Sequence, residues 1–167
     1  MSPSEKITAF ARTAIFCRDI DKSLALYRDL LGLTIVDDKT LAGPAIGRMV
    51  GLETCRLRIV HLRAGEYDGS LNGLYSLTEA ELPQTQPPTK GQLHLGQTAI
   101  VSHSDDAAVL AERLAVAGYY FLAQPTDYET HAGEPTGMPG TITEMIFYDP
   151  DGVLVSVMGF RPNAMSV

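Results

Sequence analysis

The stretch "EMIFYDPDGVLVSVMGF", from Glu144 to Phe160, consists of two short apolar runs joined by Asp149-Pro150-Asp151-Gly152. The joining residues are typical of a tight turn, because proline fixes φ, aspartate accepts hydrogen bonds from its own backbone, and glycine adopts positive φ. The stretch therefore predicts a β-hairpin. On the strand after the turn, four residues past the glycine, the sequence has Ser156.

The first half of the chain predicts the element order β-α-β-β-β. An apolar run, "ITAFARTAIFC", precedes "RDIDKSLALYRDLLGL", where apolar residues recur at helical spacing between Asp19 as N-cap and Gly32 at the end. Three further strand candidates follow, "LTIVDD", "CRLRIVHL" and "LYSL". These segments form a first module over residues 1–78.

The second half repeats this order. "QTAIVS" predicts a strand, and "SDDAAVLAERLAVAGY" predicts a helix with Ser104 as candidate N-cap and Gly118 past its end. "YFLAQP", "ITEMIFY" and "VLVSVMGF" predict three more strands. Asp21 and Asp106 take equivalent places at the two helix starts, 85 residues apart. The repeat indicates an internal duplication.

The segment between the two halves, "EAELPQTQPPTKGQ", has three prolines and no apolar periodicity. It predicts a linker over residues 79–92, followed by a second module over residues 93–167. Each helix would cover one face of its own sheet. The expected fold class is therefore α+β, with two βαβββ modules whose curved sheets enclose a cleft.

Composition and charge exclude several classes of function. A formal net charge of −7 argues against nucleic acid as a partner. No apolar run approaches the ~20 residues that cross a membrane, and the first ten residues, "MSPSEKITAF", lack the pattern of a secretory signal. Cys17 and Cys55 are too few for a disulfide framework and lack metal-site spacing. We expect a cytoplasmic protein with no nucleic-acid or membrane partner.

Three of these stretches carry a resemblance to a known family. "IFCRDIDKSLALYRDLLGL", "DDAAVLAERLAVAG" and "FYDPDGVLVSV" resemble the vicinal oxygen chelate superfamily, which includes glyoxalase I, extradiol dioxygenases and bleomycin-resistance proteins. The resemblance covers roughly residues 8 to 160. It implies the fold and a homodimer, since members pair their modules within or between chains. It does not imply one activity, because this scaffold hosts many chemistries.

The resemblance also implies where a metal would bind. Members usually take its ligands from the first and last strands of each module, with histidine or glutamine at the first pair of positions and glutamate at the second. Here those positions hold Arg12, Gln97, Tyr75 and Ser156. Arginine only donates hydrogen bonds, and serine and tyrosine are poor ligands unless they are ionised. Only Gln97 fits the usual set, and one neutral amide does not retain a divalent ion. We therefore expect no metal and no cofactor.

The same four residues, together with Glu144, are the candidate ligand-binding residues. Arg12 shares a predicted strand face with Ala14 and Phe16, where it would bind a carboxylate, phosphate or phenolate. The alternative is an ion pair between Arg12 and Glu144. In that case Glu144 only neutralises Arg12. If the two do not pair, Glu144 would be a general base. The remaining three, each of which alone is also a common core polar group, would orient a ligand: Tyr75, Gln97 and Ser156.

Four histidines and one loop complete the set of candidates. The histidines show no ligand spacing, so surface or loop positions are expected, while a non-standard metal site that uses two of them stays open: His61, His94, His103 and His131. The segment "THAGEPTGMPGT", residues 130–141, is either a long connector or a lid with Met138 and Tyr128 as apolar contacts.

The resemblance implies three possible functions. One is a metal-free cleft that binds a small anionic or aromatic molecule, as bleomycin-resistance-like members do. The others are a glyoxalase-type lyase, isomerase or epimerase, and an extradiol-type dioxygenase, which needs two histidines and a carboxylate around iron. The residues at the ligand positions favour the first. A metal-independent enzyme also stays open, in which Glu144 or Tyr75 moves a proton while Arg12 stabilises an oxyanion.

Overall fold

The computed structural model of the chain describes residues 9, 11–66, 71–79, 82, 91–130 and 139–163. The chain divides into two compact units, Met1–Gln84 and Thr85–Val167, each with one four-stranded mixed sheet. This confirms the predicted α+β fold of two repeated βαβββ modules. The predicted linker over residues 79–92 lies mostly outside the described residues and stays a prediction.

The described residues of the first unit form four strands and three helical segments. In chain order they are β1 (Thr13–Phe16), α1 (Ile20–Leu24) with a π-helical continuation (Ala25–Leu30), β2 (Thr34–Gly43), α2 (Pro44–Met49), β3 (Cys55–Arg63) and β4 (Leu71–Leu77). The order in the sheet is β1-β4-β3-β2, with β1 parallel to β4 and the other pairs antiparallel. Asp19 caps α1 as predicted, because its carboxylate accepts from two backbone N–H groups of the first turn.

The second unit has the same strand order, with one helix among the residues that the structure describes there. Its elements are β5 (Ala99–His103), α3 (Ala107–Val116), β6 (Phe121–Thr130), β7 (Gly140–Tyr148) and β8 (Leu154–Pro162), with the sheet order β5-β8-β7-β6. Asp106, not Ser104, caps α3, since its side chain accepts from the Val109 N–H at 3.0 Å. The prediction for Ser104 is wrong because its Oγ accepts from the N–H of Asp106, at 3.2 Å, which lies before the helix.

The helix caps correct the alignment of the two modules. Asp19 and Asp106 lie 87 residues apart, whereas the sequence prediction paired Asp21 with Asp106. Two residues before each cap, the Cys17 N–H donates to Tyr75 O at 2.7 Å, as the Ser104 N–H does to Met158 O. Arg12 therefore corresponds to Ala99 and not to Gln97, and Tyr75 corresponds to Met158 and not to Ser156.

The first helix also contains one residue more than the second. Gly32 lies 13 residues after the cap of α1, while Gly118 lies 12 residues after the cap of α3. The π-helical continuation accommodates the extra residue, with the Leu31 N–H donating to Leu26 O at 2.9 Å. An i→i−5 bond of this kind absorbs an insertion without ending the helix.

Each unit buries one face of its sheet under its long helix. In the first unit Val60, Leu62 and Leu74 have no exposed surface, and in the second unit Met145 and Phe147 have none. Full burial of such a side chain contributes about 1.5–3 kcal/mol to stability. None of the helices in the described residue ranges is long and apolar enough to cross a membrane.

The short helix α2, which the sequence analysis did not predict, covers one end of the other face of the first sheet. Ile46, Val50 and Leu52 pack against a buried cluster formed by Cys55, Leu57 and Ile59. Gly47 allows this close approach, because a Cβ at that position would lie 2.6 Å from the backbone of Thr54. Pro44 directly after Gly43 is the sequence signal, since proline favours the first helical position.

The β7–β8 hairpin forms as its turn residues predict. Gly152 has φ of 89°, and the buried Asp149 carboxylate accepts from the N–H groups of Asp151 at 2.9 Å and Val153 at 2.7 Å. Two backbone donors thus converge on one carboxylate oxygen. This bonding sets the register that places Ser156 on β8 beside Ile146 on β7.

We expect Asp149→Ala to destabilise the protein by about 2–4 kcal/mol, because it leaves two backbone N–H groups of the turn without their charged acceptor. The free energy of unfolding in urea measures the change. Asp105→Ala removes the same charge from an exposed position and should cost less than about 0.5 kcal/mol. Equal stability of the two variants would contradict this account of the turn.

Candidate functional site

The face of the first sheet that lies away from α1, called here the open face, is organised in rows of paired residues. One row crosses all four strands in the order Ala14, Gly73, His61 and Asp37. The next row contains Phe16, Tyr75, Ile59 and Lys39. Arg12 directly precedes β1, next to the row that begins with Ala14.

Four polar side chains, each in contact with the next, lie at this end of the open face. Arg12 Nη1 contacts His61 Nε2, and His61 Nδ1 lies 3.4 Å from Asp37 Oδ2. Lys39 Nζ lies 2.5 Å from the same carboxylate oxygen. Because a guanidinium carries only donors, Nε2 of His61 must accept, and the proton of the neutral ring is assigned to Nδ1.

His61 is held in its neutral form. Its exposed fraction is only 8 %. Burial lowers the pKa of His61, the positive charge of Arg12 lowers it further, and the carboxylate of Asp37 opposes both. A hydrogen bond from Lys39 lowers the pKa of Asp37, which keeps that carboxylate ionised. The predicted surface or loop position is therefore wrong for His61.

An aromatic surface adjoins these four polar side chains. The rings of Phe16 and Tyr75 have centroids 5.5 Å apart, and the edge of the His61 ring meets Tyr75 with centroids 6.3 Å apart. The Tyr75 ring lies over Gly73, where a Cβ would be 2.5 Å from ring atom Cε2. Phe16 is 46 % exposed. Glycine at position 73 is thus required for the tyrosine to lie across the open face.

The second unit gathers a different group of side chains around Glu144. Ser156 Oγ donates to one carboxylate oxygen at 2.6 Å, and the Tyr128 hydroxyl donates to the other at 3.0 Å. Tyr128 lies on strand β6 rather than in the loop where the sequence placed it. Ser156 is buried, with an exposed fraction of 3 %. The two hydroxyl groups hold the carboxylate in one orientation on this sheet.

Gln97 lies apart from these residues, in the segment before β5. Its Oε1 accepts from the His94 N–H at 3.2 Å, while its buried Nε2 has no hydrogen-bond partner among the described residues. His94 in a loop and His103 at the end of β5 are exposed, as predicted.

Part of the loop prediction cannot be placed. His131 and Met138 lie outside the described residues, as does most of the segment 130–141. The lid therefore stays a prediction.

The structure brings the predicted site residues together within units. Arg12 and Tyr75 share the open face with His61 in the first unit, and Glu144 contacts Ser156 in the second. The predicted ion pair between Arg12 and Glu144, and the cleft, would each involve both units, and both stay predictions. Residues that the sequence analysis did not assign to the site are Asp37 and Lys39.

The residues at the implied metal positions do not fit a divalent metal. Arg12 has only donors, Tyr75 lies across the open face as a ring, and Ser156 donates to a carboxylate. The counterpart of Ser156 in the first unit is Gly73, because these residues pair with Val101 and Ala14 respectively. Among the described residues, no three histidine, cysteine, aspartate or glutamate side chains lie close enough together to hold a metal ion.

Comparison with known proteins agrees with this fold. The sequence matches the Glyoxalase/Bleomycin resistance protein/Dioxygenase superfamily over residues 9–157. The chain belongs to this superfamily, as its resemblance predicted. No sequence among curated proteins matches it.

Solved structures share the fold at low sequence identity. A glyoxalase family protein from Bacillus cereus has a TM-score of 0.75 at 16 % identity, over 96 % of this chain and 98 % of its own. A glyoxalase/dioxygenase from Nostoc punctiforme has a TM-score of 0.55 at 16 % identity, over 90 % of each chain. A virulence protein from Salmonella typhimurium has a TM-score of 0.52 at 17 % identity, over 93 % of this chain and 99 % of its own. These likenesses concern the fold alone.

We expect Arg12→Met to raise the pKa of His61, because it removes the positive charge that contacts Nε2. NMR titration of the imidazole in parent and variant measures the shift, and the parent pKa should lie below the ordinary value of about 6.5. Arg56→Met is the matched control, since Arg56 lies on the same strand as His61 but on its other face. An unchanged pKa in Arg12→Met would contradict the contact.

The lowered pKa of His61 also predicts how the stability of the protein changes with pH. Between its folded and unfolded pKa values, histidine binds more protons in the unfolded chain, so stability rises with pH. The contribution of the neutral ring is full above pH ~6.5 and falls as the pH drops toward the folded pKa. His61→Gln should therefore lose less stability than the parent between pH 7.5 and 5.5 in urea unfolding. An equal loss would argue against a buried neutral His61.

Proposed function

We propose that this chain binds a small molecule that carries an anionic group and an aromatic ring, without a divalent metal at the positions that its superfamily uses. The observation that carries the proposal is an exposed guanidinium, that of Arg12, beside an exposed aromatic surface on the open face of the first sheet. The cleft predicted between the modules is not needed for it.

The charge of Arg12 supports recognition of an anion. A guanidinium has five N–H donors arranged to bind carboxylate or phosphate oxygens. Within the first unit, no carboxylate among the described residues pairs with Arg12, and its contact, His61, is neutral. The positive charge is therefore not compensated locally. On a protein with a net charge of −7, such a charge is what would attract an anionic ligand.

The aromatic pair supports recognition of a ring. Phe16 and Tyr75 occupy the row next to His61, and Phe16 exposes nearly half of its surface. Aromatic rings bind one another in offset or edge-on arrangements, with centroids about 4.5–7 Å apart. A ligand ring on Phe16 and Tyr75 would place an anionic substituent toward Arg12. The proposed ligand class follows from this combination.

The cellular setting is a further part of the proposal. Cys17 and Cys55 are both buried and neither is in a disulfide bond, which supports a reducing compartment such as the cytoplasm. The homodimer rests on the family resemblance.

We expect Arg12→Met to weaken binding of 2-naphthoate ten- to over a hundredfold, because a hydrogen bond to a charged group is worth roughly 1.5–3 kcal/mol. Binding of the neutral analogue 2-naphthamide should weaken much less. NMR chemical-shift titration measures both affinities, with Arg56→Met as the matched loss of one positive charge. An Arg12→Met protein that binds both ligands as the parent does would end the anion proposal.

The alternative, a structural ion pair between Arg12 and Glu144, makes a different prediction. Arg12→Met would then lower the free energy of unfolding by leaving a carboxylate without its partner, and Glu144→Gln in the same background would restore it. Thermal melts of the single and double variants distinguish the two roles. Under the binding proposal the double variant gains no stability over Arg12→Met.

We expect protein purified without chelator to contain well under one equivalent of zinc, nickel, iron or manganese, because Arg12, Tyr75 and Ser156 are poor ligands and the single neutral amide of Gln97 does not retain a divalent ion. Elemental analysis of the folded protein measures the content. Stoichiometric metal that follows the folded protein through purification would contradict the proposal and favour a glyoxalase-type enzyme.

A further inference from the structure

His61 offers chemistry that ligand binding alone does not use. Its two ring nitrogens have different partners, Arg12 at Nε2 and Asp37 at Nδ1. Since Arg12 can only donate, the lone pair of Nε2 points at the guanidinium. The basic nitrogen of a buried histidine thus faces the group that would hold the anionic part of a ligand.

We propose that His61 is a general base that removes a proton from the molecule bound at Arg12, with Asp37 as its positioning residue. The inference rests on the proposed function, because Arg12 has to bring the ligand to Nε2. It goes further by making the open face of the first sheet a catalytic site. The class of substrate is an aromatic compound with an acidic C–H or O–H group next to an oxygen that becomes anionic.

The proposed step balances without any further reactant. The Nε2 lone pair takes the proton, and the electron pair of the broken bond stays on the substrate. Negative charge then collects on the substrate oxygen, where the Arg12 guanidinium stabilises it. The imidazolium that forms faces the carboxylate of Asp37. If the imidazolium returns the proton to another substrate atom, the reaction is an isomerisation. If the electron pair instead breaks the bond between that oxygen and its neighbouring atom, the oxygen leaves as an anion, the imidazolium proton passes to water, and the reaction is an elimination.

The groups around His61 suit this role. Among the described residues of the first unit, the charged and titratable side chains that face it are Arg12 before β1, Asp37 and Lys39 on β2, and Tyr75 on β4. Burial and the two cations lower the pKa of His61, so that the ring is in its basic form at neutral pH. The Asp37 contact at Nδ1 and the edge of the Tyr75 ring restrict rotation of the imidazole.

Glu144, the base that the sequence suggests, is placed differently. Both of its oxygens accept a hydroxyl hydrogen, one from Ser156 and one from Tyr128. Glu144 also belongs to the second unit, whereas Arg12, the group that would bind the ligand, contacts His61 within the first unit. At His61, by contrast, the substrate oxygen that becomes anionic draws the Arg12 donor toward itself and frees the Nε2 lone pair.

The probe for this proposal is 5-nitrobenzisoxazole, an aromatic compound whose N–O bond breaks when a base removes the proton on C3. The products are a nitrile and a phenolate, and the absorbance of the phenolate gives the rate. We expect His61→Ala to lower the protein-catalysed rate about a hundredfold or more. His61→Gln should have the same effect while it retains an amide that contacts Arg12 and Asp37. His103→Ala, an exposed histidine of the second unit, should leave the rate unchanged.

The pH profile separates a base from a structural residue. The parent rate should rise with pH around a midpoint below about 6.5. Asp37→Asn should move this midpoint to lower pH, because the carboxylate raises the pKa of His61. Arg12→Met should move it to higher pH, because the guanidinium lowers that pKa. A residue that only supports the fold would change the rate without shifting the midpoint in opposite directions.

Each outcome decides between the two proposals. A rate that depends on His61, with both midpoint shifts, supports the general base. A parent rate no higher than that of a folded His61→Gln protein overturns it. If 2-naphthoate binding still depends on Arg12 in that case, the proposed binding function stands and only the catalytic inference fails. If binding is also independent of Arg12, both fail.

Discussion

The constraint on which this structure depends is that a β-sheet has two faces, while each module supplies one long helix. The helix buries one face, as fully enclosed Val60 and Leu62 show in the first unit and Met145 shows in the second. The other face must then be covered by another element or carry polar residues. In the first unit both occur: the short helix α2 covers an apolar end of this face, and the other end is polar and contains Arg12 and His61.

The two modules have reached different solutions on equivalent strands. In the first, the absence of a Cβ at Gly73 leaves room for the Tyr75 ring to lie across the sheet and contact His61. In the second, the corresponding Ser156 keeps a hydroxyl group that donates to Glu144. Neither arrangement offers a carboxylate from the strand that usually supplies one in this superfamily. The duplication has therefore preserved the backbone while the chemistry of its two copies has diverged, which is why family membership alone does not assign an activity.

Charge and burial act together in the first unit. His61 is kept neutral by its burial and by Arg12, while Asp37 is kept ionised by Lys39. A neutral imidazole does not cancel the charge of Arg12, so the same contact that orients the ring leaves the guanidinium attractive to an anion. Binding and proton transfer would thus use one arrangement of four side chains.

Much of the fold could be predicted from the sequence, because it depends on local chemistry. The turn residues Asp149 and Gly152, the N-cap Asp19, and the closing glycines Gly32 and Gly118 each act on neighbours within a few residues. The repeated order of elements, with a closing glycine after each helix, was enough to indicate two modules. Where two capping residues lie close together, as Ser104 and Asp106 do before α3, only the structure shows which side chain accepts from the first turn of the helix.

The candidate site depended on tertiary structure. His61 could not be assigned to a face, because both faces of β3 mix polar and apolar residues, and pairing with Asp37 comes from a β-bulge between Ile35 and Asp37. Without that bulge Val36 would lie opposite the histidine, and a one-residue shift of this kind moves every side chain to the other face. The sequence by itself determined the modules, their turns and the residue types available. Only the tertiary structure decided which of them meet, because register joins residues that are far apart in the chain.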